Sequence, residues 1–338
     1  MIISWNTTNR CNMYCDHCYR DAGDAAEKEL TLEEGKDLLE EIAKAGFKIM
    51  IFSGGEPLMV PHIYQWIAHA KDLGLRPVLG SNGTLITLEA AKQLKEAGAM
   101  GIGISLDSLE QKKHDQFRHY KNAWKETLLG MRNCREAGLP FQIHTTVLNW
   151  NRDEILNITD FAVAMGAVAH HIFFMVPTGR AVSLEDESLR TAEYEALLTE
   201  ILIKQKEVPI ELKPTCAPQF MRIAKEMGMN LRFSRGCLAG THYCIINPIG
   251  DVQPCAYMDM AVGNVRKTPF SEIWADSPVF KELRTLDYKG GCGSCIHKKI
   301  CGGCRARAAF YHDKDYMAEE PWCLYREQGG SKYNGQQG

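Results

Sequence analysis

Near the start of the chain runs Cys11-Asn12-Met13-Tyr14-Cys15-Asp16-His17-Cys18, three thiols within eight residues, just behind the apolar run Ile3-Ser4-Trp5. Three thiolates in one short loop can hold three irons of a cubane and leave the fourth iron without a protein ligand. The alternative is one tetrahedral zinc, which would need a fourth ligand such as Asp16 or His17. Zinc sites more often pair two Cys-x2-Cys knuckles, so the cubane is the expectation.

Outward from this loop, short apolar runs alternate with amphipathic segments as far as about residue 175. The runs are ISW, FKIMIFS, LRPVLGS, GIGISLD, FQIHTTV and HHIFFMV. Between them lie TLEEGKDLLEEIAKAG, VPHIYQWIAHAKDLG, TLEAAKQLKEAG, AWKETLLGMRNCREAG and NRDEILNITDFAVAMG, each with apolar residues at helical spacing and a terminal Gly suited to a helix end. Six strands alternating with five helices give an α/β fold with a parallel sheet and right-handed crossovers. Such a sheet can curl into an incomplete barrel whose chemistry sits at the C-terminal strand ends. Those ends are polar: Ser53-Gly54-Gly55-Glu56-Pro57 after the second run, Ser81-Asn82-Gly83-Thr84 after the third, Ser105-Leu106-Asp107-Ser108 after the fourth. Glycines allow close backbone approach, and a carboxylate such as Glu56 suits an ammonium.

The chain has 338 residues, 45% hydrophobic and 24% charged, enough for a sizeable core and more than one unit. Its net charge of −3 argues against nucleic acid as the main partner. The N-terminal residues read as no signal core, and no apolar run approaches the ~20 residues of a membrane span, so a cytoplasmic location is expected. A reducing compartment disfavours disulfides, which makes the 13 cysteines informative. Three fall within residues 11–18 and nine between Cys216 and Cys323, leaving Cys134 alone as an ordinary helix residue. Regularity stops after residue 180. Residues 185–207 and the string APQFMRIAKEMG look helical, and from about 230 the sequence is short-period, Gly-rich and cysteine-studded, as in a segment held by metal. The expected division is 1–184 barrel, 185–229 helical bridge, 230–327 cysteine-rich domain and 328–338 disordered tail.

The Cys-x3-Cys-x2-Cys loop with an aromatic position before its last thiol, filled here by His17, and the Gly-Gly-Glu behind the next strand resemble the radical S-adenosylmethionine (SAM) superfamily. That resemblance implies a partial (β/α)6 TIM-like barrel and a 4Fe-4S cluster at Cys11, Cys15 and Cys18, whose open iron takes S-adenosylmethionine. It also places His17 near the adenine, Gly54, Gly55 and Glu56 at the SAM amino group, and Asn82, Ser105 and Asp107 at the ribose and methionyl parts. Arg118 is a possible carboxylate partner, although a solvated arginine is the commoner outcome.

Cys237-x6-Cys244-x10-Cys255, followed by Cys292-x2-Cys295-x5-Cys301-x2-Cys304-x18-Cys323, resembles the SPASM extension of that superfamily, with two residues between Cys301 and Cys304 where many relatives have three. The extension implies one or two auxiliary 4Fe-4S clusters. Carried over by position, Cys237, Cys244, Cys255 and Cys304 form one set and Cys292, Cys295, Cys301 and Cys323 the other. Two zinc ions are the alternative.

Strings such as ISWNTTNRCNMYCDHCYRDAG, RGCLAGTHYCIINPIGDVQPCAYM and CGGCRARAAFYHDKDYMAEEPWC resemble the alternative haem biosynthesis and haem d1 branch over nearly the whole chain. Within it they look most like the deacetylases that convert 12,18-didecarboxysirohaem to Fe-coproporphyrin III; the sister haem synthases, which decarboxylate Fe-coproporphyrin III, and the haem d1 propionate-removing enzymes come next. The implied partners are a tetrapyrrole and an electron donor such as ferredoxin or flavodoxin. Cys216, outside the eight-cysteine set, is a candidate catalytic donor to the expelled fragment, against the plainer reading of a buried thiol. Arg180, Arg222, Arg232, Arg235, Arg305 and Arg307 are candidate carboxylate partners; His170, His171 and His242 are candidate axial ligands to substrate iron. A SPASM peptide-modifying enzyme and a non-enzymatic electron carrier are the competing readings.

Overall fold

A computed structural model of the chain describes residues 1–325, so the tail expected at 328–338 lies outside the described residues. Its first part is β1 (Ile2–Asn6), α1 (Leu32–Lys44), β2 (Ile49–Ser53), α2 (Ile63–Asp72), β3 (Arg76–Ser81), α3 (Leu88–Ala97), β4 (Ile102–Ser105), α4 (Gln111–Phe117), α5 (Ala123–Ala137), β5 (Phe141–Val147), α6 (Ile155–Met165) and β6 (Ala169–Phe174). There follow α7 (Thr191–Gln205), β7 (Glu211–Thr215), α8 (Phe220–Glu226), β8 (Tyr243–Ile246), β9 (Asp251–Gln253), β10 (Gly263–Asn264), α9 (Phe270–Asp276), α10 (Pro278–Thr285), α11 (Gly290–Ser294) and α12 (Arg305–Tyr311).

The helices start and stop where local chemistry dictates. Thr31 and Glu34 form a reciprocal capping box at α1, and Thr87 caps α3 through the Ala90 N–H. Gly98, Gly138 and Gly166 end α3, α5 and α6 in the left-handed conformation. Leu38, Leu39 and Ile42 of α1 are buried, and a Cβ on Gly35 would stand 2.3 Å from Trp66 Nε1, so the glycine lets α1 lie against the Trp5–Trp66 pair.

One sheet runs β10-β9-β8-β1-β2-β3-β4-β5-β6-β7. From β8 to β7 every pairing is parallel, whereas β9 and β10 are antiparallel additions. The six expected strands and five expected helices are all present. Two features depart from the expected division. β7 lies inside the stretch read as a helical bridge and extends the sheet past β6. The cysteine-rich part contributes β8, which pairs with β1, so it continues the same sheet.

Alternation along β5, β6 and β7 separates two faces. Ile143, His170 and Leu212 share the face packed on helices, where His170 binds Thr159 of α6. The opposite, inner face carries His144, His171 and Lys213 in adjacent registers, and these are only half-buried.

Candidate functional site

The cysteine loop is fixed by backbone bonds before any metal is considered. Thr7 N–H donates to Ser53 O (2.8 Å), Cys11 N–H to Gly23 O (2.8 Å) and Gly23 N–H to Asn9 O (3.0 Å), pinning both ends of the loop beside β2. Glu29 accepts from Thr8 Oγ1, Asn9 N–H and Ala26 N–H at 3.0, 2.7 and 2.9 Å. Cys11, Cys15 and Cys18 pack around one small core of Met13, Ala123 and Tyr120. Burial pushes the Cys15 thiol up to about 11, against the Arg118 guanidinium, which holds it down. Iron would convert such thiols to thiolates, since metal charge replaces the proton. Three soft donors in one small packed cluster, with no carboxylate among them, fit an iron–sulfur cluster. Among the described residues no three His, Cys, Asp or Glu side chains close on a single-ion position.

Gly54 and Gly55 serve the loop directly. A Cβ on Gly54 would lie 2.5 Å from Thr8 O, and one on Gly55 2.2 Å from Arg10 O. Without side chains the two segments close up, with Gly55 N–H on Thr8 O and Glu56 N–H on Arg10 O at 2.8 Å each. The Glu56 carboxylate is fully buried and accepts from Ser81 Oγ (2.9 Å), Asn82 N–H (2.8 Å) and Leu58 N–H (3.2 Å). Burial raises it to about 7 in spite of those bonds. It therefore braces the end of β3. Asn82 continues the brace by donating to Asn12 Oδ1 (2.8 Å) and accepting from Thr84, so β3 and the cysteine loop are tied together. Ser105 Oγ reaches Ser81 O at 3.4 Å.

Asp107 is fully buried, paired with Arg118 Nη2 at 2.7 Å and Nε at 2.8 Å, and accepts the Thr146 N–H at 3.0 Å. Burial works to raise its carboxyl, but Arg118 and then His17 and His114 leave it below the usual range. Arg118 also points Nη1 at Cys15 Sγ, 3.8 Å away. The surface position expected as commoner for Arg118 is thus not the one found; it ties the fourth strand end to the cysteine loop. His17 stacks on Phe117 with centroids 4.4 Å apart, and burial lowers it to about 3. Its buried Nδ1 has no hydrogen-bond partner. A neutral ring with an unpaired nitrogen beside the loop suits a heteroaromatic base. Arg118 and Phe117 stand at the end of α4, whose polar sequence gave no helical period.

The six candidate arginines are mostly engaged within the protein. Arg180 binds Cys15 O, Asp21 and Ala22 O and lies over Tyr14. Arg222 pairs with Glu195 and Glu226, and Arg307 with Glu320. Arg305 takes Tyr316 O and Ala318 O, Arg235 takes Cys237 O and Lys299 O, and exposed Arg232 meets Glu211. His170 sits between Thr145 and Thr159, a structural position. His171 instead stacks on His144 on the inner face, centroids 5.2 Å apart, with Lys213 in the next register. His242 gives its carbonyl to Ile2 N–H at 2.9 Å. Lys213 carried no motif and was not foreseen.

Cys292, Cys295, Cys301 and Cys323 line one cavity together with Arg222 and Glu320. Arg305 Nη2 and Glu320 N–H approach Cys292 Sγ at 3.6 and 3.3 Å, and His297 N–H approaches Cys295 Sγ at 3.4 Å. The other group packs Cys304 with Cys216 and Cys255 around Val176, Met258 and Ala306. Cys237 lies within electrostatic reach of Cys255 and Cys304. Cys244 is elsewhere: fully buried in the main core on β8, opposite Ile3 of β1. The two groups are framed by buried Glu320, which accepts the Cys304 N–H at 2.6 Å and Arg307 Nε at 2.9 Å. Tyr19, within electrostatic reach of Cys18, meets Tyr257, within reach of Cys216 and Cys255, with ring centroids 5.2 Å apart.

Residues 5–162 match the model of the radical SAM superfamily, and residues 237–305 match the SPASM iron–sulfur cluster-binding domain. An "AdoMet-dependent heme synthase" from Methanosarcina barkeri is 42% identical over 340 residues, 96% of each chain. This chain belongs to the radical SAM superfamily. A "Fe-coproporphyrin III synthase" from the same organism is 31% identical across 97% of this radical SAM enzyme and 89% of that protein. In fold it resembles Streptococcus suis SuiB, solved bound to S-adenosylmethionine, with a TM-score of 0.76 at 16% identity over 96% of this chain and 77% of that one. The radical SAM domain takes a 4Fe-4S cluster with S-adenosylmethionine, and the SPASM domain takes additional iron–sulfur clusters. No helix among the described residues is long and apolar enough to cross a membrane.

Proposed function

We propose that this radical SAM enzyme is a haem synthase, converting propionate side chains of Fe-coproporphyrin III to the vinyl groups of haem. The supporting observation is the difference in identity to two proteins of one organism, 42% to the haem synthase and 31% to the Fe-coproporphyrin III synthase. Motif strings alone ranked acetate removal from 12,18-didecarboxysirohaem first. Both activities belong to one branch, and overall identity favours haem formation.

Each propionate gives up one hydrogen atom, one carbon dioxide and one electron to become a vinyl group. Cys11, Cys15 and Cys18 would hold the cluster, at which S-adenosylmethionine would supply a radical able to take the hydrogen atom. The chain's own part is to hold the substrate. Lys213 on the inner face offers a cation to a propionate carboxylate, and burial already lowers its ammonium, so a carboxylate would be a welcome partner. His144 and His171, whose charged forms burial disfavours, present neutral imidazoles to the substrate iron. In this reading the His17 ring, stacked on Phe117, meets the adenine. A donor of the ferredoxin or flavodoxin class would supply the electron that cleaves S-adenosylmethionine, and the electron released with carbon dioxide would pass to a one-electron acceptor, for which an auxiliary iron–sulfur cluster of the SPASM domain is suited.

The test is anaerobic incubation of reconstituted enzyme with SAM and a reductant, offering Fe-coproporphyrin III and 12,18-didecarboxysirohaem separately, with mass spectrometry of the tetrapyrroles. Haem from the first substrate is the expected product. Consumption of the second alone would replace this reading with acetate removal.

A further inference from the structure

We infer that Cys216, and not Cys244, completes the thiolate set of the first auxiliary cluster together with Cys237, Cys255 and Cys304. This rests on the iron–sulfur reading of the SPASM domain and concerns which side chains of this chain serve it. The SPASM resemblance, carried over by position, put Cys244 in this set. Strand geometry removes it. On β8 successive side chains face opposite ways. Tyr243 lies within electrostatic reach of Cys255 and Tyr19 and hydrogen-bonds Ser4, so its face is the cluster side. Cys244, the next residue, faces the other way into the main core, where its charged neighbour is Arg284. A ligand there would have to cross the sheet.

Cys216 follows the last residue of β7, at a C-terminal strand end. It packs in the same small core as Cys255 and Cys304, and its thiol also feels Cys237. Its backbone is left-handed (φ +59°), a conformation unfavourable for a residue with a Cβ. The strain is intelligible if the turn out of β7 must bring this thiol beside the other three. Four thiols then gather from four separate places: the end of β7, the segment before β8, the segment after β9, and the start of α12. Cys216 is thereby removed from the pool of free thiols that could donate hydrogen to substrate, the role the sequence had suggested for it.

The experiment uses full-length protein in which Cys11, Cys15 and Cys18 are replaced by Ala, so that only auxiliary clusters are counted. Iron, sulfide and the EPR spectrum of the reduced clusters are compared for Cys216→Ala, Cys216→Ser and Cys244→Ala, with circular dichroism as the control for folding. Cys216→Ala is expected to lose about four irons per chain, or to show the signal of a three-iron cluster. Cys216→Ser, which keeps an oxygen ligand, should retain iron with shifted g values, while Cys244→Ala keeps both the iron and the parent spectrum. Loss of a cluster in Cys244→Ala with an unchanged Cys216→Ala would overturn the assignment, as would unchanged spectra in both. If the parent of these variants held no iron at all, the failure would lie with the iron–sulfur reading itself.

Discussion

Arg118 is 5% exposed, and its guanidinium is shared by the Asp107 carboxylate and the Cys15 thiol. Breaking such a buried pair on one side leaves an uncompensated charge, at a cost of about 3–5 kcal/mol, whereas replacing both partners costs far less. Arg118→Met is therefore expected to destabilise the holoenzyme by that amount, and Asp107→Asn combined with Arg118→Met to recover most of it. Anaerobic denaturation of the three proteins checks this; a double variant no more stable than the single one would contradict it. At this scale the sequence was legible where a motif has fixed spacing, as in Cys11, Cys15, Cys18 and the Gly54-Gly55 pair. It was not legible where the role depends on a distant partner. Nothing local to Arg118 announces Asp107, and nothing local to Cys216 announces Cys304.

The ends of β1, β2, β3 and β4 act together because each is tied to its neighbour: Gly55 to Thr8, Glu56 to Ser81, Asn82 to Asn12, Asp107 to the loop through Arg118. A methyl group at Gly55 would meet the Arg10 carbonyl at 2.2 Å, backbone that has little room to retreat. Gly55→Ala should therefore displace the cysteine loop and lose about four irons per chain while the SPASM clusters remain. Iron analysis with EPR reads the two separately, and full retention of the SAM cluster would show that the close approach is dispensable. Strands β1 to β6 and the helices between them were readable because apolar periodicity marks them. β7 was not, since Glu211-Leu-Lys-Pro-Thr215 has one large apolar residue and a proline. The proline is tolerated because β7 is the edge of the sheet. α4 was missed for a related reason: it is polar along most of its length, with His114 and Phe117 its buried residues.

Across the whole molecule, the sheet that runs from the SPASM segment through β1 to β7 makes one frame for both kinds of cluster, a continuity that separate motif matches do not show. That frame buries imidazoles in their neutral form. Burial lowers His114 and His144 to about 4 and His170 to about 3, the effect on His114 being reinforced by Arg118 and that on His144 by Lys213. Unfolded histidine titrates near 6.5, so the stability linked to these groups is complete above that pH and is lost as pH falls towards the folded values, at about 1.4 kcal/mol per pH unit for each. The thermal midpoint of the holoenzyme should drop between pH 7 and 5, and less steeply in His170→Gln, whose side chain can still meet Thr145 and Thr159. Equal slopes would mean that His170 titrates freely in the fold. The barrel half of the molecule and its chemistry were legible from the sequence, while the grouping of the auxiliary thiols, which depends on strand parity and long-range packing, was not. Haem formation by this route requires that the hydrogen removed from substrate come from a propionate arm. Fe-coproporphyrin III deuterated at the propionate carbon next to the ring, turned over anaerobically with SAM, should yield deuterium in 5′-deoxyadenosine together with haem; haem accompanied by unlabelled 5′-deoxyadenosine would contradict it.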